Sequence, residues 1–228
     1  MENPLSLEER LSVMGLYDHD AAGHYAKIGA VLLEDMQISK EDVCFSYYIV
    51  GDILESVNRC RGDRICLDTV TPDYLRISLG ELTHISKKPN QVAYSMGLGR
   101  DLKSKACLIQ TALHSLVDNS LKVNGNEGRV NITVSEFSGE VANPLYVPER
   151  AEIDGNFIRF CVQDNGPGFP EGRPLKDYLN LGVTTRERSD GFGLYYVSLV
   201  CKVLRCPLTI ESMPGNTEIS FYHPTNLE

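Results

Sequence analysis

The sequence predicts an α+β protein in two parts, with helices alone in residues 1–62 and a mixed sheet flanked by helices in residues 63–228. Three observations predict this organisation. Apolar residues recur every three or four positions in the first part, which is the spacing of an amphipathic helix. Short apolar runs in the second part have the length and alternation of strands. One of these runs ends at a carboxylate and a glycine-rich turn, which suits a ligand site.

The sequence of the first part predicts a helical hairpin. Its first helix covers residues 5–36 and carries a heptad-like apolar stripe, and Ser39 is a candidate N-cap of the second helix. The second helix ends near Arg61, and Gly62 follows as expected past a helix end. Because two apolar seams are not both buried in a lone hairpin, we expect a homodimer that forms a four-helix bundle. Packing of the hairpin on the second part of its own chain is the alternative.

The composition indicates which classes of partner and which cellular compartment to expect. The net charge of −9 argues against nucleic acid and anionic membranes as partners. The sequence holds no apolar run of membrane-spanning length, and its acidic N-terminus does not resemble a signal peptide, so we expect no membrane insertion. The seven cysteines are scattered, without the CxxC spacing, and indicate reduced thiols in a cytoplasmic protein.

The second part predicts a mixed sheet with helices on one face. Its predicted helices are 72–86, 101–124, 174–180 with Pro174 at the first position, and one that begins at the glycine pair near residue 193. Its predicted strands are 91–96, 130–134, 157–162, 208–210 and 219–221, the last two joined by a Pro-Gly turn. Residues 64–70 are predicted to be a linker or strand, and 138–155 a polar loop.

The glycine turn that follows the strand 157–162 is the first candidate site. Asp164 closes the strand, and Gly166 and Gly168 follow within four residues. A carboxylate accepts a hydrogen bond from an amine, and glycines allow the backbone to approach a ligand closely. The pattern therefore suits a planar ligand with an exocyclic amine. An ordinary strand and turn is the simpler interpretation of this pattern alone.

Two further segments carry chemistry that suits a nucleotide. Asn119 and Lys122 lie three residues apart on one predicted helix, and therefore on one face, where an Asn carbonyl oxygen can bind Mg²⁺. Gly191 and Gly193 open a later helix. Free N–H groups and the helix dipole at such an end favour a phosphate.

These three segments, in this order, resemble the ATP-binding fold of the GHKL family, which includes histidine kinases, heat-shock chaperone ATPases, gyrases and mismatch-repair ATPases. The resemblance covers about residues 72–223 and implies an α/β-sandwich ATP-binding domain that uses ATP and Mg²⁺. Residues 212–217 resemble the SxPGxGT segment that ends histidine-kinase domains. The implied binding residues are Asn119, which is also the metal ligand, Lys122, Asp164, Gly166, Gly168, Gly191, Gly193, Leu194 and Thr217.

The stretch between the two glycine segments corresponds to the lid over the nucleotide. Thr185 and Arg186 are candidates for phosphate contacts, because a cation neutralises the charge that develops on a transferring phosphoryl group. For Arg186, a solvated position on the lid is the alternative.

Residues 19–24 resemble the HDxxGH box of one histidine-kinase subfamily. The resemblance implies that His19 accepts the phosphoryl group, that Asp20 is its base, and that His24 helps water to dephosphorylate the response regulator. A neutral imidazole beside a carboxylate is also a good nucleophile near pH 7. His84 with Pro89 forms a competing acceptor box, but the acid that should follow the histidine is missing.

The resemblance implies a two-component histidine kinase core whose partner is a response regulator. The sequence departs from the pattern in two ways. Chaperone and gyrase-type members carry a Glu four residues before the Asn that corresponds to Asn119, where this sequence has Ser115, and no further glycine comes directly after Leu194 here. A histidine phosphotransferase or pseudokinase that relays phosphate without using ATP is therefore the main alternative. A GHKL ATPase with a mechanical role and a serine kinase of the anti-sigma-factor type are the others.

Overall fold

The computed structural model describes residues 68–85, 91–124, 128–149, 151–180, 183–184 and 193–225. All of them belong to Gly62–Glu228, the second of the two units into which the chain divides. The predicted N-terminal hairpin and its dimer lie outside the described residues.

The centre of the described part is a five-stranded mixed sheet with the order β2-β4-β5-β7-β6. Strands β2 and β4 are parallel, and the other neighbours are antiparallel. Strands β1 and β3 form a separate antiparallel pair. The strands are β1 (Asp68–Val70), β2 (Val92–Gly97), β3 (Leu102–Ser104), β4 (Val130–Glu140), β5 (Asp154–Asp164), β6 (Leu208–Met213) and β7 (Asn216–Pro224).

Three helices form the second layer: α1 (Pro72–Ile85), α2 (Ala106–Asn124) and α3 (Gly193–Leu204). Helix α2 packs against β4 and β5, α1 packs against β2 and α2, and α3 packs against α2. The α/β sandwich and the mixed sheet predicted from the sequence are therefore confirmed. Among the described helices, none combines the length and the apolar character that crossing a bilayer requires.

The apolar core lies between the sheet and the helices. The register places Ile132, Val162 and Ile219 side by side on the three central strands. In the next row the rings of Phe160 and Phe221 stack with centroids 4.8 Å apart. The same register sets Asp164, at the end of β5, beside the buried Thr217 of β7, so the predicted carboxylate lies where the core meets one end of the sheet.

Several predicted boundaries were wrong. The long helix begins at Ala106 rather than residue 101, because Leu102–Ser104 pairs with β1 as strand β3. The segment after Pro174 is a short 3₁₀ helix, Leu175–Leu179, and Pro174 is its N-cap rather than its first residue. The strands β4 and β5 also extend into the predicted polar loop, since their pairing continues to Glu140 and Asp154.

Candidate functional site

A cavity opens between α2, the N-terminus of α3 and the ends of β5 and β7. Six of the residues that line this cavity are site residues predicted from the sequence: Asn119, Asp164, Gly168, Gly193, Leu194 and Thr217. The cavity is also lined by seven residues to which the sequence analysis gives no role in binding: Ser120, Val123, Phe169, Tyr178, Val183, Thr184 and Ile219.

Asp164 is the buried acidic group of this cavity, with 7% of its surface exposed. Its Oδ2 accepts a hydrogen bond from the hydroxyl of Ser120 at 2.8 Å, and its Oδ1 accepts one from the backbone N–H of Gly166 at 2.8 Å. An ionised carboxylate has about four lone-pair sites, so both oxygens retain acceptor capacity. The arrangement holds the carboxylate in place and leaves it able to accept a further hydrogen bond from an amine.

The two glycines of the turn are required by close approach. At Gly166 an added Cβ would overlap the side chains of Asn124 and Asp164. At Gly168 the backbone has φ +79°, and an added Cβ would lie 3.0 Å from Ser212 Oγ and 3.1 Å from the carbonyl carbon of Met213. A side chain at either position would therefore displace the wall of the cavity.

Helices α2 and α3 meet at Asn119 and Gly193. A Cβ at Gly193 would overlap the Asn119 amide, so the glycine allows the N-terminus of α3 to approach this amide. The first N–H groups of a helix have no partner within that helix and favour an anion. The Asn119 carbonyl oxygen is a suitable ligand for Mg²⁺, and the N–H groups at the helix end are suitable donors to a phosphate.

Apolar and aromatic side chains form the remaining walls. Val123 and Ile219 line the cavity, and the rings of Phe169 and Tyr178 lie with centroids 4.9 Å apart. The guanidinium of Arg173 lies 5.7 Å from the centre of the Tyr178 ring. Apolar walls around one buried carboxylate fit a planar base that carries an amine.

Lys122, a predicted binding residue, does not line the described cavity. Its Nζ lies 2.7 Å from Asp118 Oδ2, an i, i+4 ion pair on the surface of α2. The other predicted site residues lie outside the described part of the chain: His19, Asp20, His24, Thr185, Arg186 and Gly191.

Ser115, the position that departs from the family pattern, is buried on α2 with 5% of its surface exposed and does not line the cavity. Its neighbour His114 is half-buried. Burial lowers the pKa of His114 below its ordinary value of 6.5, Asp118 raises it in part, and Lys122 lowers it further. Neither residue is a base that faces the described cavity.

The family model described as histidine kinase-, DNA gyrase B- and HSP90-like ATPase matches residues 105–227, which is more than half of the chain. The chain therefore belongs to this family of ATPases. The matched range contains all the cavity residues described above.

Solved structures share the fold at low sequence identity. The histidine kinase domain of the blue-light activated kinase of Erythrobacter litoralis is 16% identical, with a TM-score of 0.54 over 96% of this chain and 95% of that chain. The histidine kinase AdeS of Acinetobacter baumannii is 11% identical, with a TM-score of 0.55 over 96% and 91%. Full-length ShkA, solved with AMPPNP, is 16% identical, with a TM-score of 0.56 over 99% of this chain and 41% of that chain.

Proposed function

We propose that this chain is the core of a cytoplasmic two-component histidine kinase, with a dimerisation and phosphoacceptor hairpin in residues 1–62 and an ATP-binding domain in residues 63–228. The observation that carries the proposal is the cavity itself. Six residues chosen from four separate sequence segments line it together, and Asp164, the buried carboxylate among the described lining residues, is braced by Ser120. The free, buried thiols of Cys161, Cys201 and Cys206 fit a reducing compartment.

In this proposal the base of ATP binds between the apolar walls. Asp164 accepts a hydrogen bond from the exocyclic amine of adenine, while Thr217 and Gly168 line the same region. The lone pairs of Asp164 would repel the carbonyl oxygen that guanine carries in place of the amine. The site therefore selects an adenine nucleotide.

The phosphates lie towards the N-terminus of α3. Gly193 and Leu194 offer backbone N–H groups there. In this proposal Gly191 of the same glycine segment, with Thr185 and Arg186 of the lid, completes the phosphate contacts. The Asn119 carbonyl oxygen would hold Mg²⁺, which neutralises phosphate charge during transfer. In this proposal Lys122, which pairs with Asp118 on the surface of α2, contributes less to phosphate binding than the end of α3 does.

The chemical step is phosphoryl transfer to His19. A ring nitrogen of His19 forms a bond to the γ-phosphorus, the bond to the β,γ-bridging oxygen breaks, and ADP leaves. Asp20 takes the imidazole proton. An aspartate of a response regulator then attacks the phosphorus and releases His19, and His24 positions water for the later dephosphorylation of that regulator. Two hairpins form the homodimer in which this transfer occurs.

Labelling with γ-labelled Mg·ATP tests the proposal. We expect acid-labile, base-stable label on the wild-type chain and none on His19→Ala. Label that persists in the variant would indicate that His24 or His84, rather than His19, accepts the phosphoryl group. Absence of label on both proteins, despite measurable ATP binding, would refute the kinase activity.

The second candidate is a histidine phosphotransferase or pseudokinase that relays phosphate or binds a regulator without using ATP. One observation leaves it open: Ser115 is buried where gyrase-type relatives carry their catalytic acid. Calorimetry with Mg·ATP together with the labelling experiment distinguishes the candidates: a phosphotransferase binds no nucleotide, and a pseudokinase binds ATP but takes up no label. An Asp164→Asn variant that binds ATP as tightly as the wild type would contradict the assignment of the base site.

A further inference from the structure

Residues 212–216, the end of β6 and the turn that follows it, are hydrogen-bonded to the glycine turn, residues 165–169. The backbone N–H of Phe169 donates to Ser212 Oγ at 2.9 Å. The backbone N–H of Gly215 donates to the carbonyl oxygen of Gly166 at 2.8 Å. The glycine turn, which carries two cavity-lining residues, is thus fixed from outside the cavity at both of its ends.

Ser212 also connects the glycine turn to strand β7. Its Oγ lies 3.2 Å from Thr217 Oγ1, and Thr217 is a buried cavity-lining residue. A hydroxyl has one hydrogen to donate and two lone pairs, so Ser212 makes its contacts with Phe169 and Thr217 at the same time. The main chain of Met213 and Ser212 Oγ together leave no room for a side chain at Gly168.

We propose that Ser212 is a positioning residue for nucleotide binding: its hydroxyl holds the glycine turn in the conformation that receives the base. Ser212 does not line the described cavity, so it acts through Phe169, Gly168 and Thr217 rather than by touching the nucleotide. This inference rests on the proposed binding of an adenine nucleotide in the cavity.

The physical reason is the conformational freedom of the turn. Glycine at a positive φ has more accessible conformations than other residues, and ordering it on binding reduces affinity. Apparent affinity falls in proportion to the fraction of molecules in the competent conformation. A hydrogen bond that already holds the turn in the free protein raises this fraction.

The test compares Ser212→Ala, Ser212→Thr and Ser95→Ala. Ser212→Thr retains a hydroxyl. Ser95→Ala is the matched control, because Ser95 Oγ also contacts a threonine hydroxyl, that of Thr133 at 3.3 Å, but on edge strand β2. The measurements are amide hydrogen exchange of Phe169 without nucleotide, the Kd for ADP, and the KM and kcat of autophosphorylation, all at a temperature where every variant is folded.

We expect Ser212→Ala to speed exchange of the Phe169 amide and to raise the Kd for ADP and the KM for ATP by roughly threefold to tenfold. The kcat at saturating ATP stays at the wild-type value, because the turn contacts the base and not the reacting phosphate. Ser212→Thr restores the affinity, and Ser95→Ala matches the wild type in all four quantities.

Unchanged Phe169 exchange and ADP affinity in Ser212→Ala would refute the inference. A lowered Tm with unchanged affinity would also refute it, because that is the result of a merely structural role. A wild-type chain that binds no ADP would refute the proposed function and this inference together. A wild-type chain that binds ADP, with Ser212→Ala binding equally well, refutes only the role of Ser212.

Discussion

Ser120 Oγ lies 2.8 Å from Asp164 Oδ2 and joins helix α2 to the end of strand β5 across 44 residues of sequence. Only 4% of Ser120 and 7% of Asp164 are exposed. A buried carboxylate is costly unless donors satisfy it, and here a hydroxyl and the N–H of Gly166 do so. Burial and donors together fix the direction in which the remaining lone pairs of Asp164 point.

The Ser120–Asp164 hydrogen bond predicts a specific loss in Ser120→Ala. The variant leaves the Asp164 carboxylate with one donor fewer, so the orientation of its oxygens becomes less defined. We expect the Kd for ATP to rise roughly threefold to tenfold, the loss that one ordinary hydrogen bond gives, because Asp164 itself and its bond to Gly166 remain. Isothermal titration calorimetry measures this change.

Ser115→Ala is the matched control for this experiment, because Ser115 is an equally buried serine of α2 that does not line the cavity. We expect it to bind ATP like the wild type. Equal affinity in both variants would show that the Ser120 hydroxyl is not needed for nucleotide binding.

Asp164→Asn tests the base preference of the cavity. An amide presents a donor as well as an acceptor, so it loses the purely accepting character that suits the adenine amine. We expect the wild type to prefer ATP over GTP and the variant to lose ATP affinity by about tenfold or more, since hydrogen bonds to charged groups are the stronger ones. Competition binding with both nucleotides measures the preference.

The control for this substitution is Asp154→Asn, because Asp154 is an exposed aspartate at the other end of β5. It should retain both the affinity and the preference of the wild type. An Asp164→Asn variant with an unchanged ratio of ATP to GTP affinity would contradict base recognition by this carboxylate.

The strands could be predicted from the sequence only where buried apolar residues give a visible pattern. The central strand was expected at 157–162, and β5 runs from Asp154 to Asp164, because pairing with β4 continues through polar residues that carry no apolar signal. The start of α2 was misplaced for a related reason. Leu102–Ser104 becomes a strand by pairing with Asp68–Val70, a contact between distant segments that no local pattern reveals.

The candidate site was predictable where a short motif carries it. Asn119, Asp164 and Gly193 lie in such motifs and share one cavity. Val123 follows Asn119 by four residues, so helical spacing could have found it. Tyr178 had no such signal, because it reaches the cavity through tertiary packing of a 3₁₀ helix.

Lys122 shows the limit of spacing alone. It lies on the same helical face as Asn119, but Asp118 is four residues before it and forms an ion pair with it. An exposed pair of this kind contributes little to stability. The acid at this spacing was visible in the sequence and indicates a competing partner for the lysine.

The contact between Gly193 and Asn119 predicts that Gly193→Ala disturbs the phosphate end of the cavity. The new Cβ would overlap the Asn119 amide, so either this side chain or the start of α3 has to move. Overpacking of this kind destabilises by about 1–3 kcal/mol. We expect weaker binding of Mg·ATP and a lower Tm, which calorimetry and thermal unfolding measure.

Gly80→Ala is the control, because a Cβ at Gly80 of α1 meets no atom within 4 Å. Alanine is a better helix former than glycine by roughly 0.5–1 kcal/mol, so this variant should be at least as stable as the wild type. If Gly193→Ala is equally stable and binds normally, the helices do not need to approach each other at this point.

His223 predicts a pH dependence of stability. It is fully buried; its Nδ1 donates to the Pro224 carbonyl oxygen at 2.7 Å, and its Nε2 accepts from Ser104 Oγ at 2.8 Å. Burial lowers the pKa of His223 from 6.5 to about 4, despite the hydrogen bond to Pro224, which raises it. The folded state therefore holds a neutral imidazole, whereas the unfolded chain gains a proton below pH 6.5.

The stabilising contribution of neutral His223 is thus complete above pH 6.5 and is lost as the pH falls towards 4. A shift of this size corresponds to about 3 kcal/mol in the free energy of unfolding. Denaturant unfolding of the wild type and of His223→Gln at several pH values measures it. Because glutamine does not titrate, the variant should lose less stability than the wild type between pH 6.5 and 4.5, although it is less stable at pH 7.5. Parallel curves for the two proteins would show that His223 does not resist protonation in the fold.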